Sequence, residues 1–310
     1  MPTRFLIVPQ WQGSSSSRAM QLADGAEAIA DDLPDSATTR VDVPMEAGES
    51  LGTGIHRLSS VITVRDRVHA ALTELSATGD GLVVTIGGDC GVELAAVQHA
   101  LAAHEGRSVA VVWLDAHADL NTPATSPTGA FHGMVARALL GDAPDPLRGP
   151  DPLRGPDPSR SPDPLRNPEP PSTGAAPLAP ERLVLAGTRE LDDGEAAFID
   201  ETGIRVVTVD QLRSPDALLA AVEQTGANAV YVHVDLDVLD PGAIAGVQFP
   251  EPFGLAPEEL IAAIAALRAR FELAGAGITE FAPRSPDAAV DDLAVILRVL
   301  GALTRPAPQT

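Results

Sequence analysis

The sequence predicts an α/β fold, a three-layer α/β/α domain on a doubly wound, mainly parallel sheet. Apolar runs of strand length alternate with helix-length segments along nearly the whole chain, which is typical of this class. Three of the runs, residues 82–86, 111–114 and 230–234, lead directly into acidic side chains. Such endings suit the carboxyl edge of a parallel sheet, where ligands of this fold class bind.

The individual elements follow from apolar spacing and from local composition. The predicted strands are residues 5–8, 40–43, 82–86, 111–114, 182–186, 205–209, 230–234 and 277–279. The predicted helices are residues 20–32, 61–77, 92–104, 132–140, 194–201, 215–224, 257–271 and 288–303. Pro257 suits the first turn of its helix. Right-handed crossovers would leave all strand ends at one edge.

Residues 142–180 interrupt this alternation. Pro-Asp-Pro-Leu-Arg-Gly at 144–149 recurs at 150–155 and, degraded, at 156–161 and 162–167. Prolines at this spacing neither continue a helix nor donate to a sheet, so we predict an extended, disordered insertion in a single domain spanning 1–310. Surface loops absorb such length at little cost, and a partner-binding role for the repeats stays open.

Composition narrows the range of partners. Hydrophobic residues make up 45% of the 310 residues, and the formal charge is -22. This charge argues against nucleic-acid binding. An acidic surface favours solubility and could attract a cationic substrate, and a solvated surface with no such role stays open. The single cysteine excludes an intrachain disulfide, and no stretch approaches the roughly 20 apolar residues of a membrane span. We therefore expect a cytoplasmic protein without a membrane partner, and a homo-oligomer stays open.

Acidic side chains follow two of the buried strands at a spacing of two residues. Asp115, His117 and Asp119 follow one strand, and Asp235 and Asp237 end another. Side chains two apart on an extended chain share a face, so each set begins together. Unpaired buried carboxylates are costly, and carboxylates with imidazole are typical metal ligands. The pattern predicts a metal site.

Five motifs resemble the arginase/agmatinase, or ureohydrolase, family. They are Gly-Gly-Asp-Cys at 87–90, Asp-Ala-His-Ala-Asp at 115–119, His-Gly-Met at 132–134, Asp-Leu-Asp-Val-Leu-Asp-Pro at 235–241 and Thr-Glu-Phe at 279–281. The resemblance implies an arginase-like fold and a hydrolase of guanidino groups with two Mn²⁺ ions. Oxygen-rich ligands suit manganese, and paired metal ions activate water and stabilise the tetrahedral intermediate.

The resemblance also implies a role for each site residue. The first metal would be bound by Cys90, Asp115, Asp119 and Asp235, and the second by Asp115, His117, Asp235 and Asp237. The expected catalytic residues are His132 as proton shuttle, Glu280 as the guanidinium ligand, and Asp119. The expected substrate-binding residues, besides Glu280, are Asn121, Ser126 and Thr128 for the α-carboxylate, and Asp192 and Glu195 for the α-amino group.

Cys90 and Phe249 depart from the family pattern. Cys90 stands where the family has a histidine ligand, and Phe249 replaces a small polar residue near the guanidinium. A cysteine there resembles the Nω-hydroxy-arginine hydrolases of D-cycloserine biosynthesis, an arginase-like branch. A thiolate would add negative charge and is a soft ligand, which predicts a weak first metal position. A protonated Cys90 that only packs stays open.

The predicted function is hydrolysis of arginine or Nω-hydroxy-arginine to ornithine and urea or hydroxyurea. Within the family, an agmatinase or guanidino-acid hydrolase stays open. Two further alternatives are a non-catalytic member that binds an amino acid and a single-zinc deacetylase of the same general fold. Turnover and metal counting separate these alternatives.

Overall fold

The computed structural model describes residues 3–79, 81–104, 106–148 and 176–305. Within them lies one eight-stranded sheet in the order β2-β1-β3-β8-β7-β4-β5-β6, and every pairing in it is parallel. The strands are β1 Thr3–Val8, β2 Thr38–Arg40, β3 Leu82–Gly87, β4 Val109–Leu114, β5 Leu183–Ala186, β6 Arg205–Val207, β7 Ala229–Asp235 and β8 Glu272–Thr279. The predicted α/β class with a parallel sheet is confirmed.

Helices connect the strands and cover both faces of the sheet. They are α1 Gln21–Ala30, α2 Leu58–Ala77, α3 Glu93–Ala103, α4 Val135–Arg137, α5 Asp145–Arg148, α6 Asp193–Thr202, α7 Val209–Leu212, α8 Asp216–Glu223, α9 Pro257–Arg270 and α10 Pro286–Thr304. Short 3₁₀ helices at Cys90–Val92, His132–Met134 and Leu236–Val238 follow strand ends or loops near the carboxyl edge. None of the helices in the described ranges is both long and apolar enough to span a membrane.

Side-chain alternation along the central strands builds a separate core on each face. On β4, Val112 and Leu114 join one core, while Val111 and Trp113 join the other. Every residue of β4 and β7 is buried, as expected for central strands covered on both faces. A rigid, fully buried pair of strands therefore leads into the acidic motifs.

The segment predicted as a helix at 132–140 is divided into shorter pieces. A 3₁₀ helix at His132–Met134 leads into α4 and then into a π-helical turn at Ala138–Asp142. Gly141 has a φ of 103°, which ends helical geometry there. His132 consequently lies in a tight turn and not within a regular helix.

The repeat insertion was predicted to be extended, and its beginning is not. Asp145–Arg148 forms one turn of helix, α5, whose Leu147 is buried in a core cluster. Proline is tolerated in the first turn of a helix because the N–H it lacks would be unpaired there anyway. The remaining copies, at 150–167, lie outside the described residues.

We predict that Gly25→Ala destabilises the protein by about 1–3 kcal/mol. A Cβ at Gly25 on α1 would lie 1.9 Å from the Phe281 carbonyl oxygen, in the segment that follows β8. The control, Gly301→Ala on α10, meets nothing closer than the flexible Arg305 side chain at 3.7 Å. Urea denaturation should show the loss only in the first variant, with the control neutral or up to about 1 kcal/mol more stable. Equal stability of the two variants would contradict this packing.

Candidate active site

Four adjacent strands bring the acidic motifs to one place. The order β3-β8-β7-β4 sets Cys90, Glu280, Asp235 and Asp115 at neighbouring strand ends, because all four strands are parallel. All four side chains are buried. The carboxyl edge of the sheet centre is therefore the candidate site.

Two groups of side chains in the described part of the chain have metal-ligand geometry. The Cys90 group consists of Cys90, Asp115, His233 and Asp235, and the His117 group consists of Asp115, His117 and Asp237. Within each group, one ligand atom per residue lies within 4.8 Å of all the others. Asp115 belongs to both groups, so its carboxylate lies between two possible cation positions.

Distances show how the two groups share Asp115. Its Oδ2 lies 3.9 Å from His233 Nε2, whereas its Oδ1 lies 3.5 Å from His117 Nδ1. His117 Nδ1 lies 3.0 Å from Asp237 Oδ2, and the Cys90 Sγ donates to Asp235 Oδ2 at 3.1 Å. The two oxygens of Asp115 thus face different groups.

Neighbouring N–H groups orient these carboxylates. The His117 amide and the Trp113 indole donate to Asp115 at 2.7 and 3.0 Å. The Asp237 amide donates to Asp235 Oδ1 at 2.9 Å, and the Ala116 amide donates to Asp237 Oδ1 at 3.1 Å. Backbone geometry at the strand ends therefore holds the ligand atoms in place before any cation binds.

Electrostatics of the protein alone strongly favour a bound cation. Burial, and then the charges of neighbouring carboxylates, raise the pKa values of Asp115, Asp119 and Asp235. Burial and the Asp235 charge likewise raise the pKa of the Cys90 thiol well above its usual value. Burial would lower the pKa of His117, but Asp237 and Asp115 outweigh it and raise the pKa.

Asp119 differs from its predicted place in the first metal set. It is buried and has a φ of 54°, a left-handed conformation, but it belongs to neither group. Its Oδ2 has no hydrogen-bond partner in the described part of the chain. Its role as ligand or catalytic residue stays a prediction.

Glu280 and His132 form a pair beside the Cys90 group. Glu280 Oε1 accepts from the Cys90 amide at 3.1 Å and lies 3.5 Å from His132 Nδ1. Burial would lower the pKa of His132, but its hydrogen bond to Glu280 and the charge of Glu280 raise it. Glu280 Oε2 is buried without a partner among the described residues, and a φ of 67° strains the backbone there.

Phe249 and Asp89 complete the surroundings of this pair. The Phe249 ring lies 5.1 Å from the His132 ring, between centroids. Asp89 accepts from the Gly13 and Gly91 amides, each at 2.8 Å. Burial, and then the Glu280 charge, raise the pKa of Asp89 to about 6. Asp89 thus joins the loops after β1 and β3.

The predicted substrate-binding residues occupy two loops. Asn121 Nδ2 donates to Asp192 Oδ2 at 2.7 Å, which joins the loop after β4 to the start of α6. The Ser126 hydroxyl accepts from the Gly129 amide at 3.0 Å, and the Thr128 hydroxyl accepts from the Ala130 amide at 3.2 Å. These contacts shape the loop and leave the roles toward a substrate as predictions.

Glu195 makes hydrogen bonds with the backbone that its motif did not indicate. Its Oε1 accepts from the Leu120 amide at 2.8 Å, and its Oε2 accepts from the Asp192 amide at 3.0 Å as part of a capping box. The side chain is buried, and both oxygens are engaged by backbone. These contacts position Asp192 and the loop after β4. Each carboxylate oxygen can accept a second hydrogen bond, so the role of Glu195 toward the α-amino group stays a prediction.

His233 and Glu93 were missed in the sequence. His233 lies two residues before Asp235, so strand alternation alone would have placed it on the ligand face. Glu93, at the start of α3, gave no signal because its contact with His233 depends on how α3 packs on the sheet.

The residues present fit divalent cations. The carboxylates of both groups, together with imidazole, form an oxygen-rich donor set. Asp119 Oδ2 and Glu280 Oε2 are buried carboxylate oxygens that lack a donor in the described residues. A cationic centre and a cationic substrate would satisfy them.

Comparisons with known proteins identify the family of this chain. The arginase family model matches residues 15–297. The chain is 32% identical to Nω-hydroxy-L-arginine amidinohydrolase of Streptomyces lavendulae over 231 residues, 74% of this chain and 71% of that protein. It is 30% identical to the arginase of Bacillus caldovelox over 258 residues, 80% of this chain and 76% of that protein.

Solved structures show the same fold. Entamoeba histolytica arginase in complex with L-ornithine has a TM-score of 0.78 at 20% identity, covering 97% of each chain. Bacillus caldovelox arginase has a TM-score of 0.77 at 24% identity, covering 99% of each chain. The chain belongs to the arginase family and is a hydrolase of amidino C–N bonds.

Proposed function

We propose that this hydrolase holds two Mn²⁺ ions and cleaves the guanidino C–N bond of arginine or Nω-hydroxy-arginine. The products would be ornithine and either urea or hydroxyurea. The observation that carries this proposal is the buried, unpartnered Oε2 of Glu280 beside the Cys90 group. It offers a guanidinium an anionic acceptor next to the predicted metal centre.

The two groups would hold one ion each, with Asp115 between them. Aspartates make up two of the four residues of the Cys90 group and two of the three residues of the His117 group, and carboxylate oxygens favour manganese over a softer metal. Ions bound there would lower the pKa of water and supply a hydroxide nucleophile near neutral pH. Because there are two ligand groups that share Asp115, the site favours two ions and argues against the single zinc ion of a deacetylase.

Glu280 would orient the guanidinium. The Cys90 amide fixes Oε1, which leaves Oε2 free to accept an N–H of the substrate. Charge-assisted hydrogen bonds of this kind are about twice as strong as neutral ones. The reacting carbon would thus be held against the two ligand groups.

His132 would handle the proton of the leaving amine. Its raised pKa increases the imidazolium fraction near neutral pH, and Glu280 keeps Nδ1 in a defined direction. A guanidinium is a poor electrophile with a poor leaving group, so an acid at this position contributes directly to the rate. The presence of His132 and Glu280 argues against a non-catalytic member.

The amino-acid end of the substrate would lie at the loop after β4. Asn121 and the hydroxyls of Ser126 and Thr128 would face the α-carboxylate. Asp192 and Glu195 would face the α-amino group. The relatives named for arginine and for Nω-hydroxy-arginine have similar identities, so both substrates belong to the proposal.

Turnover assays should identify the substrate. With Mn²⁺ present, we expect ornithine from arginine or Nω-hydroxy-arginine, and far slower turnover of agmatine and guanidinobutyrate, which lack one amino-acid charge. Products would be measured by mass spectrometry. Preferred turnover of agmatine or guanidinobutyrate would favour the alternative branch. An absence of turnover with two ions bound would contradict the proposal.

His132→Asn should lower kcat by about 10²–10⁴-fold, the usual contribution of a general acid. Manganese stoichiometry should remain that of the parent, because His132 belongs to neither ligand group. His104→Asn, at the end of α3, is the matched control and should keep the parental kcat. Full activity of the His132 variant would show that another group carries the proton.

Chelator-treated protein should lose stability as pH rises. The pKa values of Asp115, Asp119 and Asp235 are raised above the value of about 3.9 in unfolded chains. Their stabilising protonation is therefore complete below about pH 4 and is lost as pH rises through the raised values. Added Mn²⁺ at 100 times its Kd should contribute about 2.7 kcal/mol per site.

The measurement is the Tm between pH 4.5 and 8, with chelator and with Mn²⁺. The gap between the two curves should widen with pH. The general repulsion of an acidic chain affects both curves, so it does not produce the gap. Parallel curves would contradict the assignment of these carboxylates to a cation site.

A further inference from the structure

We propose that His233 is a ligand of the metal ion at the Cys90 group through Nε2, and that Glu93 orients the His233 ring at Nδ1. The inference rests on the proposed metal centre and adds to it a donor that none of the five motifs contains. With this donor, the metal position at the Cys90 group would have an imidazole ligand even though Cys90 stands where the family has a histidine.

The position of His233 follows from the strand. It precedes Asp235 by two residues on β7, so both side chains share one face. His233 Nε2 lies 3.9 Å from Cys90 Sγ and 3.9 Å from Asp115 Oδ2, and the residue is fully buried. Nε2 therefore faces the same point as the other three ligand atoms.

Trp113 fixes the ring against rotation. It is the register partner of His233 across β4 and β7, and the two rings stack with centroids 3.6 Å apart at 24°. The same indole donates from Nε1 to Asp115 Oδ2 at 3.0 Å. One tryptophan thus positions two members of the Cys90 group.

Glu93 occupies the other side of the imidazole. Its Oε2 lies 3.5 Å from His233 Nδ1, and both residues are fully buried. A carboxylate at one ring nitrogen holds the proton there, which leaves the lone pair of Nε2 for a metal. Carboxylate–histidine–metal arrangements of this kind recur in metalloproteins.

The space for Glu93 is provided by Gly277 on β8. A Cβ at Gly277 would lie 1.9 Å from Glu93 Oε1. The Tyr231 phenol is a further polar neighbour, and its pKa is raised by burial first and then by Glu93. The carboxylate thus occupies a gap in the apolar layer between α3 and the sheet.

A purely structural pair would be expected to satisfy its polar atoms within the protein. Neither oxygen of Glu93 nor Nδ1 of His233 has a well-formed hydrogen bond in the described residues. Burying polar groups in this state is costly, and an apolar residue at 233 would continue the strand without that cost. A bound ion at Nε2, which polarises the ring and strengthens Nδ1–H toward Glu93, accounts for both residues.

Charge supports the same assignment. A Cys90 thiolate would add one negative charge to the four carboxylates of the two predicted metal sets, while a neutral imidazole adds none. The ion would gain a nitrogen donor that manganese accepts better than sulfur. The Cys90 position need not then be the weaker of the two.

The test compares manganese binding by the full-length parent, His233→Ala, Glu93→Gln and the control His99→Gln. Titration followed by electron paramagnetic resonance of free Mn²⁺ gives stoichiometry and affinity. We expect His233→Ala to weaken one of two sites by about 100-fold or more, and Glu93→Gln by about 10–100-fold. His99→Gln, on α3 and outside both ligand groups, should match the parent.

Cobalt substitution supplies a second readout. Loss of a nitrogen donor in His233→Ala should alter the ligand-field bands, while any thiolate-to-cobalt charge-transfer band of the Cys90 group should persist. Circular dichroism checks folding. If His233→Ala does not fold, Glu93→Gln, which keeps side-chain volume, decides the question through its affinity.

Unchanged affinity and spectra in the folded variants would overturn the assignment. If the parent still binds two ions and turns over substrate, only the role of His233 fails. If the parent binds no metal, the proposed function fails with it.

Discussion

Mutual repulsion among buried carboxylates is the constraint on which the rest of this structure depends. Asp115, Asp235, Asp237 and Glu280 converge at the carboxyl edge of three adjacent strands, β8, β7 and β4, with little exposure to water. Such a cluster is costly unless cations or donors satisfy it. The donors that orient the carboxylates are mainly backbone amides and one indole, while the His117 imidazole, whose pKa Asp237 and Asp115 raise, offsets part of their charge. The scaffold therefore leaves a partly unsatisfied negative potential at the place where chemistry is proposed.

That potential is tolerated because the surrounding framework is rigid. β4 and β7 are buried along their whole length between two apolar layers, and their register pairs Trp113 with His233. Beyond the strand ends, Asp119 and Glu280 adopt left-handed conformations that non-glycine residues disfavour. Strained residues of this kind persist where neighbouring structure determines their conformation. Here they turn carboxylates back toward the site.

The sequence predicts the fold class and the convergence of acidic motifs because both follow from local periodicity. It does not predict features that depend on packing between distant segments. β8 begins at Glu272, whereas the sequence predicts a start at 277. The prediction is too short because Gly275 and Gly277 weaken the strand pattern. In the structure these glycines make room for Tyr231 and Glu93. Glu195 matched a motif for substrate contact, and its oxygens also accept from two backbone amides. Only the folded arrangement shows this second, structural use of the carboxylate.

Cys90 lies between the proposed metal centre and Glu280, the proposed guanidinium acceptor. Its amide donates to Glu280 Oε1, while its Sγ faces Asp235 and, more distantly, His233. The backbone contact does not depend on the side chain, so a change from histidine to cysteine at this position leaves the orientation of Glu280 intact. The thiol is shorter than an imidazole, and His233 approaches the same point from β7, two strands away in the sheet. If a metal ion binds at the Cys90 group as proposed, its donors could therefore differ from those of a histidine-containing relative while Glu280, the proposed guanidinium acceptor, keeps its position.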